Sequence, residues 1–227
     1  MTWTFGPQLI DVVRLLDVPR LVDLVRLRRA ALRYGGRGWA VTPGAYLSGT
    51  RFACGRPGCP TVTCHPALES WEEAATCDPA RVTAWWRALP HTVLLATGGT
   101  FDVLEVPAHL GLRALGMARL HGHVLGPARL PVDGPVAAGP TGRWMFFVQP
   151  GDRLRPELDG QFDVVRHGRG SWVPAPPTRL PEGRVRWAVS PEDVHWQLPD
   201  SYAVQALLVD ALLVAEPARL AAAPDGR

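Results

Sequence analysis

The sequence contains no lysine, and all 24 basic residues of the 227-residue chain are arginines, set against 21 acids. Arginine carries a planar fork that pairs bidentately with phosphate, but a chain-wide absence of lysine is also what a GC-rich coding bias produces. The formal net charge of +3 is mild. The basic composition by itself therefore carries little functional weight.

Long hydrophobic runs are also missing. The amino-terminal stretch MTWTFGPQLIDVVRLLDVPR has acids and arginines inside its apolar run, which excludes a secretory signal and a membrane span. The apolar run at 202–215 is too short to cross a bilayer and contains Asp210. Internal repeats and coiled-coil heptads are absent as well. We expect a cytoplasmic protein that has no membrane partner.

The sequence does contain enough apolar residues for a sizeable core. Hydrophobic residues make up 47% of the chain, and a chain of this length buries roughly 70–75% of its unfolded surface. Residues 8–34 have helical periodicity that is interrupted at Asp17-Val18-Pro19, which predicts two helices. The second helix carries an arginine face, either a solvated surface or a phosphate-facing patch, formed by Arg26, Arg28, Arg29 and Arg33, with Arg37 just beyond.

Strands dominate the second half of the chain. Short apolar runs predict a strand at 38–43 and then strands at 92–96, 101–106, 135–140, 143–149, 162–166, 171–175 and 184–189. The helices predicted after the first two are at 70–77, 78–89, 107–119 and about 201–215, and 216–227 is expected to be a frayed tail. The pattern predicts a mixed α/β fold with a mostly antiparallel sheet.

The irregular segment from Gly44 to Pro66 contains a group of cysteines and a histidine, which are Cys54, Cys59, Cys64 and His65. Cytoplasmic thiols stay reduced, so such a group favours zinc over disulfides, and zinc would order a glycine-rich loop. Cys64 and His65 are adjacent, which would strain joint binding of one ion, so Cys77 is an alternative ligand to Cys64. Free, loosely packed cysteines are the other interpretation.

The order of several segments resembles the amino-terminal domain of bifunctional DNA primase/polymerases, of the archaeo-eukaryotic primase superfamily. The segments are YGGRGWAVTPG, CGRPGCPTVTCHPALESW, DPARVTAWWRALPHTVLLATGGTFDVLEV, GPVAAGPTGRWMFFV, RHGRGSWVPAPPTRL and VRWAV. The resemblance implies an RRM-like, mostly antiparallel sheet packed against a helical α/β unit. It divides one compact domain into a helical unit with the Cys/His loop at 1–90, an RRM-like core at 91–215 and the tail.

The resemblance also implies template-dependent nucleotidyl transfer with Mg²⁺ or Mn²⁺, which hard oxygen ligands bind. In the family an acid-x-acid motif lies on one strand, and here its first acid is Glu105 and its second position is Pro107. Asp102 does not obviously replace the missing acid, because strand alternation directs residues three apart to opposite faces. Only a bulge or bend near Gly98-Gly99 would bring the carboxylates of Asp102 and Glu105 together.

The other two motifs are also incomplete. The family histidine falls on Trp144, which is expected either to fill the nucleotide pocket or to stack on a base within it. Thr141, Gly142 and Arg143 keep a turn and a cation that suit a nucleotide phosphate. Asp163 is the only acid near the third motif, whose position falls on Val164 or Val165 in an alignment on Trp172; Arg166 and His167 are the nearby candidates for binding nucleotide.

Two hypotheses follow. The first is a metal-dependent nucleotidyltransferase in which Glu105 and either Asp102 or Asp163 hold the metal, and Arg143 and Arg166 hold the triphosphate. The second is a catalytically silent, zinc-bearing module that binds nucleotides or single-stranded DNA or RNA. Because the sequence contains no helicase segment, we expect any replication role to need a separately encoded helicase or replication protein.

Overall fold

The computed structural model of the chain describes residues 18–125 and 133–214. The first predicted helix, at 8–16, and the predicted tail lie outside these ranges. The helices within them are α1 (Val18–Gly35), α2 (Trp71–Ala74), α3 (Pro79–Trp85), α4 (Ala108–Leu125), α5 (Pro156–Asp159) and α6 (Ser201–Leu213). None of these helices combines the length and the apolar character that crossing a membrane requires.

Twelve short strands are present in the same ranges. They are β1 (Val41–Gly44), β2 (Tyr46–Ser48), β3 (Arg51–Ala53), β4 (Thr92–Ala96), β5 (Asp102–Pro107), β6 (Val136–Ala138), β7 (Arg143–Val148), β8 (Val165–His167), β9 (Trp172–Pro174), β10 (Arg179–Leu180), β11 (Gly183–Arg184) and β12 (Arg186–Val189).

The helix starts follow local capping chemistry. The Asp78 carboxylate accepts a hydrogen bond from the Ala80 backbone N–H at 2.9 Å, and Pro79 occupies the first helical position of α3, as the sequence predicts. Asp200 caps α6 in the same way, by accepting from the Ala203 N–H at 2.8 Å. The Asp200 cap fixes the start of α6, which packs against α4 on one face of the larger sheet.

The larger sheet has five antiparallel strands in the order β12-β6-β7-β5-β8, and a second sheet has three antiparallel strands in the order β1-β4-β9. The remaining strands form the two-stranded ribbons β2-β3 and β10-β11. The predicted mixed α/β class with a mostly antiparallel sheet is confirmed. The strand β5, which carries both candidate acids, lies inside the five-stranded sheet between β7 and β8.

Two apolar cores cover the two faces of the five-stranded sheet. Between the two sheets, Val103 and Phe147 pack with Trp39 and Leu95, and the Trp39 and Phe147 rings stack at 5.1 Å. On the opposite face, side chains such as Leu104 pack against α4 and α6. Since neighbouring residues of a strand point to opposite faces, residues 103, 105 and 107 belong to the first face and residues 102, 104 and 106 to the second.

Short elements account for most differences from the predicted pattern. The segment after Gly44 contains the ribbon of β2 and β3, and α5, β10 and β11 were not predicted either. Elements of two to four residues are too short to display a recognisable alternation or helical periodicity, so their sequences carry little signal. The ribbon of β2 and β3 leads directly into the Cys/His loop.

Candidate functional site

Asp102 and Glu105 lie on opposite faces of the five-stranded sheet. All six residues of β5 pair in continuous register with β7, from Asp102 opposite Val148 to Pro107 opposite Arg143. A regular strand of this kind contains no bulge, so the alternative in which a bulge joins the two carboxylates is wrong. Each acid has its own set of partners.

Glu105 contacts two basic side chains, one on each carboxylate oxygen. Arg143 Nε donates to Glu105 Oε1 at 2.7 Å, and His167 Nε2 lies 2.9 Å from Glu105 Oε2. Ser171 Oγ lies 2.9 Å from the other ring nitrogen of His167, Nδ1, and so fixes the orientation of the imidazole. The side chains of Glu105, Arg143 and His167 are 21%, 28% and 18% exposed, so this Glu105 triad lies at the edge of the core and remains open to solvent.

The triad stabilises the charged form of Glu105. Burial alone would raise the pKa of this carboxyl, but the hydrogen bonds and charges of His167 and Arg143 outweigh burial and hold its pKa below the ordinary value. Glu105 is therefore a carboxylate at neutral pH, and its negative charge is already matched by protein groups.

Asp102 is almost completely buried, with 1% of its side chain exposed. Its Oδ2 accepts from Arg166 Nη2 at 2.7 Å, from Arg166 Nε at 3.1 Å and from the Gly151 backbone N–H at 3.1 Å. Its other oxygen, Oδ1, has no hydrogen-bond partner among the described residues. Asp102 thus ties β5 to β8 and to the turn after β7 from the face opposite to Glu105.

The Cys/His loop brings three side chains together. The sulfurs of Cys54 and Cys59 and a ring nitrogen of His65 all lie within 4.8 Å of one another. His65 Nδ1 contacts the Thr63 carbonyl at 2.7 Å, which turns Nε2 towards Cys59 Sγ at 3.5 Å. In the described part of the chain this is the one group in which the ligand atoms of three or more His, Cys, Asp or Glu side chains lie so close to one another. Two thiols and an imidazole are donors that suit zinc, so this cluster is a candidate metal site.

Arg56 acts on the same cluster. Its Nε lies 3.5 Å from Cys54 Sγ and its Nη2 lies 3.7 Å from Cys59 Sγ. Burial raises the pKa of the Cys54 thiol, but hydrogen bonds from Arg56, His65 and Cys59 more than offset burial and lower that pKa to about 6. A thiolate at neutral pH is the form in which cysteine binds a metal.

Cys64 and Cys77 do not belong to this close group. Burial raises the pKa of the Cys64 thiol to about 11, and Cys77 is exposed beyond α2. Both had been expected as alternatives for the fourth ligand. The structure brings together the other three predicted ligands, Cys54, Cys59 and His65.

A family model of the bifunctional DNA primase/polymerase N-terminal domain matches residues 31–201. The chain belongs to this family. A comparison with curated proteins finds no match. The match covers the Cys/His loop and both sheets.

The neighbours of Glu105 on its own face of the sheet include no second acid. Pro107 occupies the next position on the same face of β5, and Met145 and Val165 lie directly opposite Glu105 on the two neighbouring strands. These apolar side chains offer no oxygen ligand to a hard cation. The residue set beside Glu105 therefore does not fit an Mg²⁺ or Mn²⁺ site of the primase/polymerase kind.

The remaining predicted site residues are dispersed. Asp163 is exposed in the turn before β8 and makes no described ion pair or hydrogen bond. Trp144, opposite Val106, lies on the second face of the sheet, where it packs closely against Gly111 of α4, and is therefore not beside Glu105. Arg166 is on that face too.

The turn before β7 adjoins the Glu105 triad through Arg143. Gly142 has a φ of +78°, a conformation that glycine adopts without strain. Its carbonyl accepts from the Ala108 N–H at 2.8 Å, which holds the turn against the start of α4. Thr141 is exposed in the same turn. Of the six predicted nucleotide-binding residues, Thr141, Gly142, Arg143 and His167 thus belong to one region.

Sequence reasoning did not identify two residues of these sites. Ser171 holds His167, and Arg56 faces the two sulfurs. The position of Arg56 between Cys54 and Cys59 was a usable signal, since a cation between two close cysteines favours their thiolates. Ser171 gave none, because its contact depends on how the turn between β8 and β9 closes.

Proposed function

We propose that this primase/polymerase-like domain binds nucleotides and single-stranded nucleic acid without catalysing nucleotidyl transfer. The observation that supports the proposal is the Glu105 triad, in which both oxygens of the carboxylate that the resemblance assigns to the metal are engaged by Arg143 and His167. A metal ion would have to displace both side chains from the carboxylate.

The neighbouring residues support the same conclusion. In-line phosphoryl transfer by two metal ions needs several oxygen ligands around the reacting phosphate. Pro107, Met145 and Val165 surround Glu105 on its face of the sheet, and Asp102 is committed to Arg166 on the other. The competing hypothesis, an active enzyme, requires Asp102 or Asp163 to join Glu105, and the described contacts give this no support.

Binding without turnover uses the cations of the same region. Arg143 is 28% exposed, and its guanidinium presents further N–H donors beyond those that Nε and Nη2 give to Glu105. A nucleotide phosphate is a stronger anionic partner than one carboxylate, so it can compete for Arg143. A Cβ built on Gly142 would meet no atom within 4 Å, so the turn next to Arg143 is open on that side.

The experiment measures turnover and binding on the same protein. Primer extension and dinucleotide synthesis are assayed with Mg²⁺ and with Mn²⁺, on DNA and RNA templates, with wild-type and Glu105→Gln proteins. We expect no product from either protein. Product that is formed by the wild type and lost in Glu105→Gln would overturn the proposal of silence.

The binding arm uses a fluorescent ATP analogue. We expect Arg143→Gln to weaken binding about tenfold, because a charge-assisted contact to phosphate is lost. Arg87→Gln is the matched control, because it removes an exposed arginine that is not part of the proposed nucleotide site. Equal affinities of Arg143→Gln, Arg87→Gln and wild type would rule out the proposed nucleotide site.

We further propose that Cys54, Cys59 and His65 hold a structural zinc ion, with Cys64 or Cys77 as the fourth ligand. The convergence of two sulfurs and an imidazole nitrogen within 4.8 Å supports this assignment. Zinc content measured by mass spectrometry should be about one ion per chain and should fall on Cys54→Ser. Protein that is metal-free after purification with zinc present would contradict it.

The cellular setting belongs to the same proposal. Reduced thiols at Cys54 and Cys59 suit the cytoplasm, and a separately encoded helicase or replication protein would supply strand opening. The division into a unit at 1–90 and a core at 91–215 likewise remains a prediction. Copurification of a replication protein with the tagged chain is the direct check on the partner.

A further inference from the structure

A groove of about 630 Å³ runs along helix α1, remote from the residues of the Glu105 triad. It lies between α1 and the Pro176-Pro177 segment, with Trp187 of β12 in its wall. We call it the α1 groove. Its lining combines an apolar surface with a row of arginines, and neither feature is used by the sites described above.

The arginines of the α1 groove are Arg26, Arg29 and Arg33. Spacings of three and four residues place all three on one face of the helix, where they span about 10 Å along its axis. All are exposed. Arg33 pairs with Glu192 at 3.0 Å, but no acid in residues 18–125 or 133–214 pairs with Arg26 or Arg29. The groove thus presents concentrated positive charge that the described chain leaves largely unmatched.

The apolar part of the groove is accessible at the same time. Leu21, Val22 and Val25 line it and are 56%, 53% and 37% exposed. An exposed apolar strip beside a row of arginines suits a ligand that has flat, weakly polar groups on one side and regularly spaced anions on the other. A nucleic-acid strand is such a ligand, because its bases stack on apolar and aromatic surfaces while its phosphates follow a basic groove.

We propose that the α1 groove binds a single strand of DNA or RNA, with phosphates on Arg26, Arg29 and Arg33 and bases against Leu21, Val22 and Val25. This rests on the proposed function, to which it adds the surface that holds the polymer. An amphipathic protein helix is the competing occupant. The rim favours nucleic acid because it carries arginine forks, which pair bidentately with phosphate.

The test measures binding of the full chain to fluorescein-labelled oligo-dT of twelve nucleotides by fluorescence anisotropy. The groove variant is Arg26→Gln with Arg29→Gln. Its control, Arg87→Gln with Arg119→Gln, removes the same charge from two other exposed positions. We expect the groove variant to lose at least tenfold in affinity and the control less than threefold. The slope of log K against log salt should become shallower by about 1.4 in the groove variant, or about 0.7 per lost phosphate contact.

A second pair of variants tests the apolar part. Val22→Asp puts a carboxylate into the groove at an exposed position, and Leu112→Asp does the same on α4, where Leu112 is 59% exposed. We expect about a tenfold loss for Val22→Asp relative to Leu112→Asp, with similar thermal unfolding of both proteins. Equal losses would mean that added negative charge acts through the whole protein, and would overturn the assignment.

The outcomes separate this inference from the proposed function. Oligo-dT binding that is the same in the groove variant and its control overturns the proposal that the α1 groove binds nucleic acid. The groove would then be open to another occupant, such as a protein helix. Wild-type protein that binds neither oligo-dT nor the ATP analogue overturns both proposals. ATP binding that persists in the groove variant, together with lost oligo-dT binding, supports a polymer site distinct from the Glu105 triad.

Discussion

Strand β5 keeps its potential metal ligands apart, whereas the Cys/His loop brings its potential ligands together. On β5 the regular register directs Asp102 and Glu105 to different faces of the sheet. Asp102 pairs with Arg166 and Glu105 with Arg143, each from a neighbouring strand. In the loop, three ligand atoms from Cys54, Cys59 and His65 converge within 4.8 Å although they are spread over twelve residues. A strand fixes which side chains can meet, whereas a loop can close around one point.

The comparison makes Asp102 a structural residue. Asp102→Ala should lower the free energy of unfolding by about 3 kcal/mol, since removing one partner of a buried ion pair leaves Arg166 uncompensated and the Gly151 N–H unpaired. Asp163→Ala removes an exposed acid and should change stability by no more than about 0.5 kcal/mol. Urea unfolding of both variants measures the difference. Similar small changes in the free energy of unfolding of the two variants would mean that the contacts of Asp102 with Arg166 and Gly151 do not stabilise the fold.

Because its ligand atoms converge, the Cys/His loop should make the stability of the folded protein depend on zinc. Free zinc at a hundred times its dissociation constant should stabilise the wild type by about 2.7 kcal/mol relative to chelator-treated protein. Cys54→Ser should abolish this difference. Cys64→Ser and Cys77→Ser separate the two candidates for the fourth ligand, because only the variant that loses the ligand should show a smaller zinc effect. A zinc effect that survives Cys54→Ser but disappears in Cys77→Ser would reassign the ligands.

The Glu105 triad should contribute less to the free energy of unfolding than the Asp102 ion pair or the zinc ion does. Glu105→Gln should destabilise the protein by about 1–2 kcal/mol at pH 7, because Arg143 and His167 lose a charged acceptor. Glu192→Gln breaks the exposed pair with Arg33 and should cost less than about 0.5 kcal/mol. Urea midpoints for the two variants measure this difference.

The pH dependence of that effect has a definite sign. The pKa of Glu105 is lowered in the folded state, so its contribution is complete above the ordinary glutamate pKa of about 4.3 and is lost as the pH falls through the depressed value. The gap between wild type and Glu105→Gln should therefore be full at pH 7 and shrink under acidic conditions below about pH 4. A gap that is as large well below pH 4 as it is at pH 7 would contradict the ion-pair account of the triad.

The pattern of alternating residues was sufficient to predict much of β5. The run FDVLEV predicted a strand with Asp102 and Glu105 on opposite faces, and the register agrees. The Asp78 cap and the start of α6 were also readable, because capping depends on adjacent residues. These features are set by local backbone periodicity, which the sequence displays directly.

The partners of each acid were not predictable in the same way. Alternation alone does not say that His167 of β8 meets Glu105, because the pairing of β8 with β5 joins residues 62 apart. Trp144 was expected near the nucleotide on the basis of its motif position, yet its parity on β7 puts it on the other face. Long-range strand order and register determine both outcomes, and both depend on tertiary packing.

The central claim is that Glu105 is held by Arg143 and His167 and does not bind a catalytic metal. Electron paramagnetic resonance of Mn²⁺ tests it most directly, with zinc-loaded wild-type and Glu105→Gln proteins titrated at pH 7 in the presence of ATP. We expect the two proteins to bind the same amount of Mn²⁺, all of it attributable to the nucleotide. A protein-bound Mn²⁺ ion that is present in the wild type and missing in Glu105→Gln would contradict the account.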